Sequence, residues 1–551
     1  MKDLSIYKLY LIVLLLLASA CAKKEQQASH PTTSIEPYLD INLTEVERDS
    51  LLDGLEDHQK SFEELHKFNL DNSTGMALDF NPLPQGFEIN RDQKPIVWNL
   101  PANVELPANR EELAFYPVYK LASLIKTKRI TSLELTQLYL TRIKKYKDTL
   151  QCVISITEEQ ALQQAKKADE EIAKGGYRGP LHGIPYGIKD LLAVEGTKTT
   201  WGAGPYKDQT IDKTATVVKK LEAAGAVMVA KLTMGALAMG DIWFGCKTRN
   251  PWNLEQGSSG SSAGSASATA AGLVGFAIGT ETYGSIVSPS NRCGATGLRP
   301  TYGVVSRNGA MALSWSMDKI GPICRSALDC AMVFDVIRGE DGFDSSVKNF
   351  AFNYDANANL KKIKVGYLKT LFEKDTANKE QHAKSLALLQ SQGIELVSIE
   401  LPSDLPVEAI SFIISTEGAA AFDEMTRTDR DSLLTDQRKW AWPNTFRTAR
   451  FIPAVEYINA QRIRKLLIEA YHQKTKDIDV IVAPSFEGDQ LLMTNLTGHP
   501  CLVIPNGFNK KGNPTSISFL GKLYGEAALI SVGRAIQEAS DWENMTPPLF
   551  K

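Results

Sequence analysis

The amino-acid sequence predicts an α/β fold around a largely buried sheet. Short apolar runs typical of buried strands recur in the second half of the chain, separated by helical segments, at residues 363–368, 394–401, 479–483 and 501–504. Upstream, a helix-like run at residues 214–224 stops at Gly225 and leads directly into an apolar run at residues 226–230. Glycine is common just beyond a helix end because it tolerates the left-handed backbone conformation. This alternation of helix and strand is typical of α/β proteins.

The first 21 residues are predicted to be a secretory signal. Lys2 and Lys8 give a basic start, residues 9–17 are apolar apart from one tyrosine hydroxyl, and small residues precede Cys21. This apolar stretch is far shorter than the ~20 residues a membrane-spanning helix needs. Because Ala18-Ser19-Ala20-Cys21 is similar to a bacterial lipobox, we expect export to the periplasmic side of a bacterial membrane and anchoring through lipidated Cys21. The alternative is Ala-x-Ala cleavage without a lipid, because Ala18 stands where lipoboxes usually have leucine.

Residues 22–110 are interpreted as a tether and an accessory N-terminal region, with a helical stretch near residues 43–68 followed by a proline-rich run. The pattern then becomes that of a packed domain, which we expect at residues 111–551. Its first clear element is a helix, because Thr131 and Glu134 have capping-box spacing.

Composition limits the function classes. The chain has 551 residues, 43% hydrophobic and 23% charged, as in ordinary globular proteins. A formal net charge of −3 supplies no basic field for a polyanion, so no nucleic-acid partner is expected. The cysteines are scattered without a C-x-x-C motif, and no His-rich tract occurs, so we expect no metal and no cofactor. An oxidising compartment permits disulfides, but the sequence does not assign pairs.

Two Gly/Ser-rich elements are candidates for chemistry. Residues 257–265 have the composition of a linker, but small residues and then the apolar run 276–278 follow, so the segment enters packed structure. The second element, residues 279–286, contains Gly284 and Ser285. A glycine there permits a tight turn in which consecutive N–H groups converge on one oxygen. Both elements favour a serine nucleophile presented beside backbone amides.

Lys189 is the candidate base. It ends the mainly apolar segment 184–188, and burial lowers the pKa of a lysine by up to ~3–5 units. A neutral amine can take the proton of a serine hydroxyl, whereas an ammonium cannot.

Lys189, the loop containing Ser261, and Ser285, which follows 24 residues later, resemble the amidase signature family in order and spacing. Further matches lie at residues 248–253, 293–301 and 495–500. The resemblance covers roughly residue 110 to the C-terminus. It implies one large α/β/α domain around a mixed sheet.

The resemblance also implies the chemistry: hydrolysis of a carboxamide C–N bond by a Ser-Ser-Lys triad through an acyl-serine intermediate. Ser285 falls on the nucleophile, Ser261 on the bridging serine, which in the family follows a cis peptide bond, and Lys189 on the base. The backbone N–H groups expected to bind the oxyanion belong to Thr282, Tyr283, Gly284 and Ser285. The substrate is a small-molecule or peptide amide. Its identity and the oligomeric state remain open.

Four positions depart from the family pattern, and none removes a triad member. Tyr283 replaces the first glycine of the usual Gly-Gly-Ser, Ala263 replaces a loop glycine, Glu281 replaces Asp, and Val287 replaces Arg. Tyr283 and Val287 lie next to the nucleophile in sequence, so substrate specificity is open.

Rival hypotheses come from other motifs. Residues 260–264 satisfy G-x-S-x-G, which would make the protein an α/β-hydrolase-type esterase with Ser262 as nucleophile and His382, His472 or His499 as base. Residues 253–256 do not look like the strand that precedes such an elbow. His182 and His499 lie in His-Gly and His-Pro turns typical of the family, so structural roles are expected. Ser123 and Lys126 match S-x-x-K, but no Lys-Thr-Gly follows.

Two further alternatives concern the cellular role. A non-catalytic, lipid-anchored solute-binding protein would have no use for Lys189, Ser261 and Ser285 together. Within the family, a tRNA-dependent amidotransferase subunit is disfavoured by the expected export, because its substrate and partners are cytoplasmic. The sequence therefore predicts an exported, lipid-anchored amidase.

Overall fold

The computed structural model describes residues 30–39, 41, 43–65, 67, 71–74 and 78–551. The predicted signal and Cys21 lie outside these residues. The chain divides into two compact units, Met1–Asp71 and Asn72–Lys551. The first contains helix α1, Glu45–Leu65, within the stretch predicted to be helical. Among the described helices, none is both long and apolar enough to cross a membrane.

The second unit is built on a large mixed sheet. Its strands and those of a small hairpin are β1 Val153–Ile156, β2 Pro185–Lys189, β3 Val227–Leu232, β4 Arg249–Asn250, β5 Asn253–Gly257, β6 Phe276–Glu281, β7 Thr296–Arg299, β8 Lys319–Cys324, β9 Val365–Tyr367, β10 Leu396–Ser398, β11 Val480–Pro484, β12 Cys501–Phe508 and β13 Pro514–Gly521. The 11-stranded sheet has the order β1-β3-β2-β6-β8-β7-β12-β13-β11-β9-β10, and β4 and β5 form the hairpin.

Helices surround this sheet. They are α2 Val118–Lys126, α3 Ser132–Leu150, α4 Glu158–Ala173, α5 Thr216–Ala223, α6 Ala263–Ala270, α7 Val287–Cys293, α8 Ala327–Ile337, α9 Lys369–Lys374, α10 Lys379–Ser391, α11 Phe412–Ala421, α12 Asp423–Arg427, α13 Trp442–Ala449, α14 Ala454–Thr475, α15 Gln490–Leu496 and α16 Glu526–Glu538. Every residue of β2, β3, β6, β8, β11 and β13 is buried, so both faces of these strands are covered. The predicted α/β architecture is confirmed.

Local sequence signals explain several element boundaries. Thr131 and Glu134 form the predicted capping box at the start of α3. Gly225 has φ +81°, so it ends the α5 segment in the conformation that glycine tolerates best, and β3 follows. Strands β9, β10, β11 and β12 lie within or overlap the four apolar runs identified in the sequence.

The division of the chain differs from the sequence-based one at residue 110. Residues after Asn72 belong to the large unit because backbone and side-chain contacts tie them to it. Val97 forms a parallel bridge with Asp355, and Arg129 donates a hydrogen bond to the Val104 carbonyl at 2.7 Å. The described residues from Asn72 onward, within the segment interpreted as a tether and accessory region, therefore belong to the large unit.

Parallel pairing of β2 with β6 places the carboxyl ends of both strands at one edge of the sheet. Ile188 pairs with Ile278 in this register. Because parallel strands end at the same edge of a sheet, Lys189 at the end of β2 lies beside the residues that end and follow β6.

Candidate active site

Lys189 lies at the carboxyl end of β2, fully buried between β3 and β6. Its amine contacts three side-chain hydroxyls. Lys189 Nζ is 2.7 Å from Ser261 Oγ, 3.1 Å from Ser262 Oγ and 2.8 Å from Thr280 Oγ1. No described carboxylate lies within ion-pairing distance of this amine. The lysine is therefore held by neutral groups, not by a counter-charge.

Burial controls the protonation of Lys189. Removing the amine from water lowers its pKa to about 7, with Asp318 and Glu281 partly opposing this effect. The amine is therefore substantially neutral near pH 7.

Ser261 lies in the Gly/Ser loop between β5 and α6. The Gly260–Ser261 peptide bond is cis, as the family resemblance implies. A Cβ atom at Gly260 would collide with the Gly240 carbonyl, so the loop requires glycine there. Ser261 is fully buried, and its hydroxyl points to Lys189.

The Ser262 hydroxyl has a different environment. It donates to the Thr280 carbonyl at 3.0 Å and accepts the Thr280 N–H at 3.1 Å. Since its single hydrogen is directed to Thr280, Ser262 accepts from Lys189 and does not donate to it.

Ser285 lies in the turn between β6 and α7, where Gly284 adopts φ +83°. The Ser262 N–H donates to the Ser285 carbonyl at 3.2 Å, which joins this turn to the Gly/Ser loop. Ser285 is 8% exposed, and its hydroxyl makes no hydrogen bond with any described residue. It is the partly accessible serine next to the buried Lys189 network.

Four backbone N–H groups lie in the same turn, those of Thr282, Tyr283, Gly284 and Ser285. No described residue accepts a hydrogen bond from any of the four. Unpaired N–H groups in a turn are suited to an anionic oxygen. The Thr282 hydroxyl donates to Asp318 at 2.5 Å, and the Tyr283 side chain is 44% exposed.

The Glu281 carboxylate stabilises the turn that contains Ser285. One of its oxygens accepts the N–H groups of Ile286 at 2.8 Å and Val287 at 3.0 Å. The other carboxylate oxygen accepts from Arg299 and Asn495, both at 2.8 Å. Burial acts to raise the pKa of Glu281, but Arg299 and these hydrogen bonds outweigh it and lower the pKa to about 2. An ionised carboxylate therefore fixes the backbone just after Ser285.

Three histidines are held by contacts away from the serines. His499 Nδ1 is 2.8 Å from the Thr497 hydroxyl, and burial lowers its pKa to about 3. His182 accepts the Arg178 N–H at 3.1 Å and lies 3.2 Å from Glu171. His382 is 2.8 Å from Asp375. Among the described residues, no histidine bonds Ser261, Ser262 or Ser285.

Sequence reasoning missed Thr280 and the partners of Glu281. Thr280 could have been found, because strand alternation places it on the same face as Thr282, two residues later. No pattern in a single sequence links Glu281 to Arg299 and Asn495, which are distant in the chain. The expectation for residues 253–256 is wrong, since they belong to β5, although this strand lies in the small hairpin.

A cavity of about 350 Å³ borders the site. Its wall includes Thr280, Thr282 and Asp318 but none of Lys189, Ser261, Ser285 and Tyr283. In the described part of the chain, no cluster of three or more His, Cys, Asp or Glu side chains could hold a metal. The six cysteines in the described residues are free: Cys152, Cys246, Cys293, Cys324, Cys330 and Cys501.

Comparisons with known proteins give a consistent result. A family model described as Amidase matches residues 134–530. A glutamyl-tRNA(Gln) amidotransferase subunit of Roseiflexus castenholzii is 34% identical over 482 residues, covering 78% of this chain and 98% of that protein. The corresponding subunit from Marinomonas sp. is 33% identical over 479 residues, with 78% and 98% covered.

Solved structures agree with this result. The peptide amidase of Stenotrophomonas maltophilia has a TM-score of 0.69 and 28% identity, covering 77% of this chain and 96% of that one. An amidase family protein from Bacillus anthracis has a TM-score of 0.71 and 27% identity, covering 80% and 93%.

Proposed function

The chain belongs to the amidase family and is an enzyme of amide C–N bond cleavage, and from that premise we propose that it hydrolyses a carboxamide with Ser285 as nucleophile, Ser261 as proton relay and Lys189 as base. The products are a carboxylic acid and ammonia or an amine. The observation that carries this proposal is the buried Lys189 amine 2.7 Å from Ser261 Oγ, without a neighbouring counter-charge.

Hydrogen-bond directions support the path of the proton. A neutral amine has two N–H donors and one lone pair. Donation to Ser262 Oγ and Thr280 Oγ1 uses both N–H groups. The lone pair is then left for the Ser261 hydroxyl. Ser261 can pass its proton to Lys189 while it takes the proton of Ser285.

The reaction then has two stages. Ser285 Oγ attacks the amide carbon, and the carbonyl oxygen becomes an oxyanion bound by the free N–H groups of residues 282–285. One such donor is worth about 2.7–4 kcal/mol in other hydrolases. Lys189 returns the proton through Ser261 to the leaving nitrogen, and the C–N bond breaks. Water, deprotonated by the same relay, cleaves the acyl-Ser285 ester.

The esterase alternative requires Ser262 to attack. Its hydrogen is directed to the Thr280 carbonyl, its side chain is fully buried, and no described histidine contacts it. These observations favour Ser285. A solute-binding role would leave the buried lysine and the four free N–H groups without a purpose.

The relatives fall into two classes, and each class suggests a different substrate. Because the relatives above include amidotransferase subunits, amide-group transfer within a larger assembly is a second candidate. The likeness to a peptide amidase favours hydrolysis of peptide or small-molecule amides by the chain alone. Export, if demonstrated, would also favour the latter.

The cellular location is proposed from the N-terminal sequence: export, followed by anchoring through lipidated Cys21. No nucleic-acid partner is proposed.

One screen tests the enzymatic proposal. Protein lacking residues 1–21 is incubated with a library of primary amides, anilides, peptide C-terminal amides and glutamine, and ammonia or amine release is measured. We expect hydrolysis of at least one amide class, and loss of that activity in Ser285→Ala but not in Ser258→Ala, whose hydroxyl bonds the Ser259 carbonyl instead. Activity retained by Ser285→Ala contradicts the proposal.

A further inference from the structure

Part of the wall of the cavity beside the active site comes from the N-terminal region of the chain. Most of its lining comes from the loops around β6 and β8, including Thr280, Thr282 and Asp318. Part of the remaining wall is formed by Asn72, Ser73, Leu78, Asp79 and Phe80. The family model begins only at residue 134, so this wall comes from outside the family-matched region.

Specific contacts hold this segment in place. The Asn72 side chain pairs with the backbone of Ala312, accepting its N–H at 2.6 Å and donating to its carbonyl at 3.0 Å. Phe80 packs edge-on against Tyr302, with ring centroids 5.0 Å apart. The Arg464 guanidinium lies 3.5 Å from the centre of the Phe80 ring. The segment is therefore a packed wall of the pocket.

Two residues of the cavity wall, Thr280 and Thr282, also belong to the proposed catalytic network. Thr280 bonds Lys189 Nζ at 2.8 Å, and Thr282 supplies one of the free N–H groups. A substrate carbonyl bound at Ser285 would thus have one of its two substituents directed toward the cavity.

The size of the cavity and the aromatic side chains in its otherwise polar lining indicate what that substituent is. At about 350 Å³ the cavity is near the lower limit for ligand pockets, which run from roughly 300 to 1,000 Å³. Aromatic side chains line it, among them Phe80, Tyr302 and Trp315. These features suit a compact group that carries a ring.

The charges of the lining are balanced. Basic and acidic side chains line the cavity in equal number: Lys213, Arg307 and Lys319 against Asp79, Asp318 and Asp344. Arg307 and Asp344 form an ion pair at 3.1 Å. Counted as formal charges, the lining therefore offers no excess of either sign to a charged substituent.

We propose that residues 72–73 and 78–80 form the specificity-determining wall of the substrate pocket, and that the pocket accepts a compact, uncharged, ring-bearing substituent of the amide. This inference rests on the proposed function. Phe80 and Leu78 limit the size of that substituent, while the catalytic groups come from the family-matched region.

The test uses two substrate series of increasing size from one ring to two. Primary amides vary the acyl group, and N-aryl acetamides vary the amine. Phe80→Ala removes a ring from the wall and is expected to raise kcat/KM for the larger members about tenfold relative to the smallest member, in one of the two series. Leu78→Trp narrows the wall at a side chain that is 78% exposed, so folding is not at risk, and the same ratio falls.

Phe87→Ala is the matched control. Phe87 belongs to the same N-terminal region but packs against Tyr524 and His472, outside the cavity wall. We expect the wild-type size profile for this variant. Unchanged profiles for both Phe80→Ala and Leu78→Trp, with amide hydrolysis intact, overturn the wall while leaving the proposed function in place. A wild-type protein that hydrolyses no amide in any series contradicts both.

Adding a carboxylate to the best ring-bearing substrate tests the charge assignment. The balanced charges of the lining predict a kcat/KM lower by about tenfold or more, because a buried charge needs a partner. A carboxylated substrate preferred over its neutral parent overturns this part of the inference.

Discussion

In the proposed mechanism, the protonation of Lys189 determines whether Ser261 can take a proton from Ser285. Burial without a counter-charge places its pKa near that of a base that works at neutral pH. Ser262 and Thr280 accept from the amine in either protonation state, whereas the Ser261 hydroxyl donates to the neutral amine and accepts from the ammonium. The three hydroxyls therefore hold Lys189 without requiring it to be charged.

Activity should therefore depend on pH with a defined sign. Raising the pH removes the proton from Lys189 and creates the base, so kcat/KM rises through a pKa of about 7 and then levels off. Lys189→Met should fold and lose at least ~10²–10⁴ in kcat/KM, together with this rise. Lys231→Met is not a suitable control, because Lys231 forms a buried ion pair with Asp190 at 3.0 Å. Exposed Lys384→Met should keep the wild-type profile. A wild-type rate that falls as the pH rises from 6 to 8 would exclude Lys189 as the base.

Tyr283 tests the division between backbone and side-chain roles. Its N–H is one of the free donors, whereas its side chain lies outside the cavity wall and is partly exposed. Tyr283→Gly keeps the backbone donor but removes the side chain next to Ser285 in the turn. Substrate preference should therefore change more than folding does. Steady-state kinetics on amides of different acyl size measure this. Uniformly scaled activity across all substrates would contradict a side-chain role in selection.

The positions of single functional residues could be predicted from the sequence only where those residues belong to a recognisable motif. The sequence predicted Lys189, Ser261 and Ser285 through the family resemblance, and the structure places Lys189 and Ser261 in contact and brings the Ser285 turn against the Ser261 loop. Their roles stay predictions. The position of Tyr283 relative to the cavity was not predictable, because it depends on how several loops pack.

Among the elements, the parallel pair β2 and β6 positions the site. Both strands end at the same edge of the sheet. Strand β2 ends in Lys189, and β6 leads into the turn that contains Ser285. Glu281, the last residue of β6, then ties the turn containing Ser285 to Arg299 on β7. The sheet and the nucleophile turn are thus joined by one buried carboxylate.

Glu281→Gln should weaken this connection. An amide has one acceptor oxygen, so it cannot satisfy both the backbone N–H groups and the Arg299 and Asn495 donors. Each unsatisfied buried donor costs about 1–3 kcal/mol, and breaking a buried ion pair costs about 3–5 kcal/mol. We expect a lower free energy of unfolding and a reduced kcat, measured by denaturant titration and kinetics.

Asp335→Asn serves as the comparison for this variant. Asp335 forms a half-buried ion pair with Arg338 at 2.8 Å. Because water still reaches both side chains, this pair should contribute only about 1 kcal/mol, less than the fully buried pair of Glu281 and Arg299. Glu281→Gln with a stability loss no larger than that of Asp335→Asn would show that the Glu281 network does not hold the turn.

Elements were predictable where apolar runs are uninterrupted or where a cap is explicit. Strands β3, β9, β11 and β12 were found in this way, and so was the start of α3. Strand β5 was missed because its residues, Asn253–Gly257, are mostly polar and pair only within a hairpin. The order of strands in the sheet depends on contacts between distant segments, which periodicity does not contain.

At the scale of the whole molecule, the large unit combines a family-matched core with an N-terminal region outside that match. Residues 134–530 match the family model. Residues 72–74 and 78–110 pack on that core, although their proline-rich sequence resembles a tether. Sequence composition could not reveal this, because the packing depends on single contacts such as that of Asn72 with Ala312.

The proposed anchor is tested in cells. Cys21→Ala removes the only residue of the lipobox-like segment that can carry the lipid, so the protein should become soluble or remain uncleaved. One acyl chain binds a bilayer only at roughly 10⁴ M⁻¹, so stable attachment needs the several chains of a lipoprotein. Membrane fractionation and intact mass of the mature protein measure both effects. Unchanged fractionation, with no lipid mass on Cys21, would exclude the anchor.

The most direct test of the central claim is the position of the covalent intermediate. The protein is treated with a fluorophosphonate, digested, and the modified serine is identified by mass spectrometry, with Ser285→Ala and Ser262→Ala treated in parallel. We predict a single adduct on Ser285 that is lost in Ser285→Ala, retained in Ser262→Ala, and formed more slowly in Lys189→Met. An adduct on Ser262, or labelling that survives in Ser285→Ala, would contradict the assignment of Ser285 as the nucleophile.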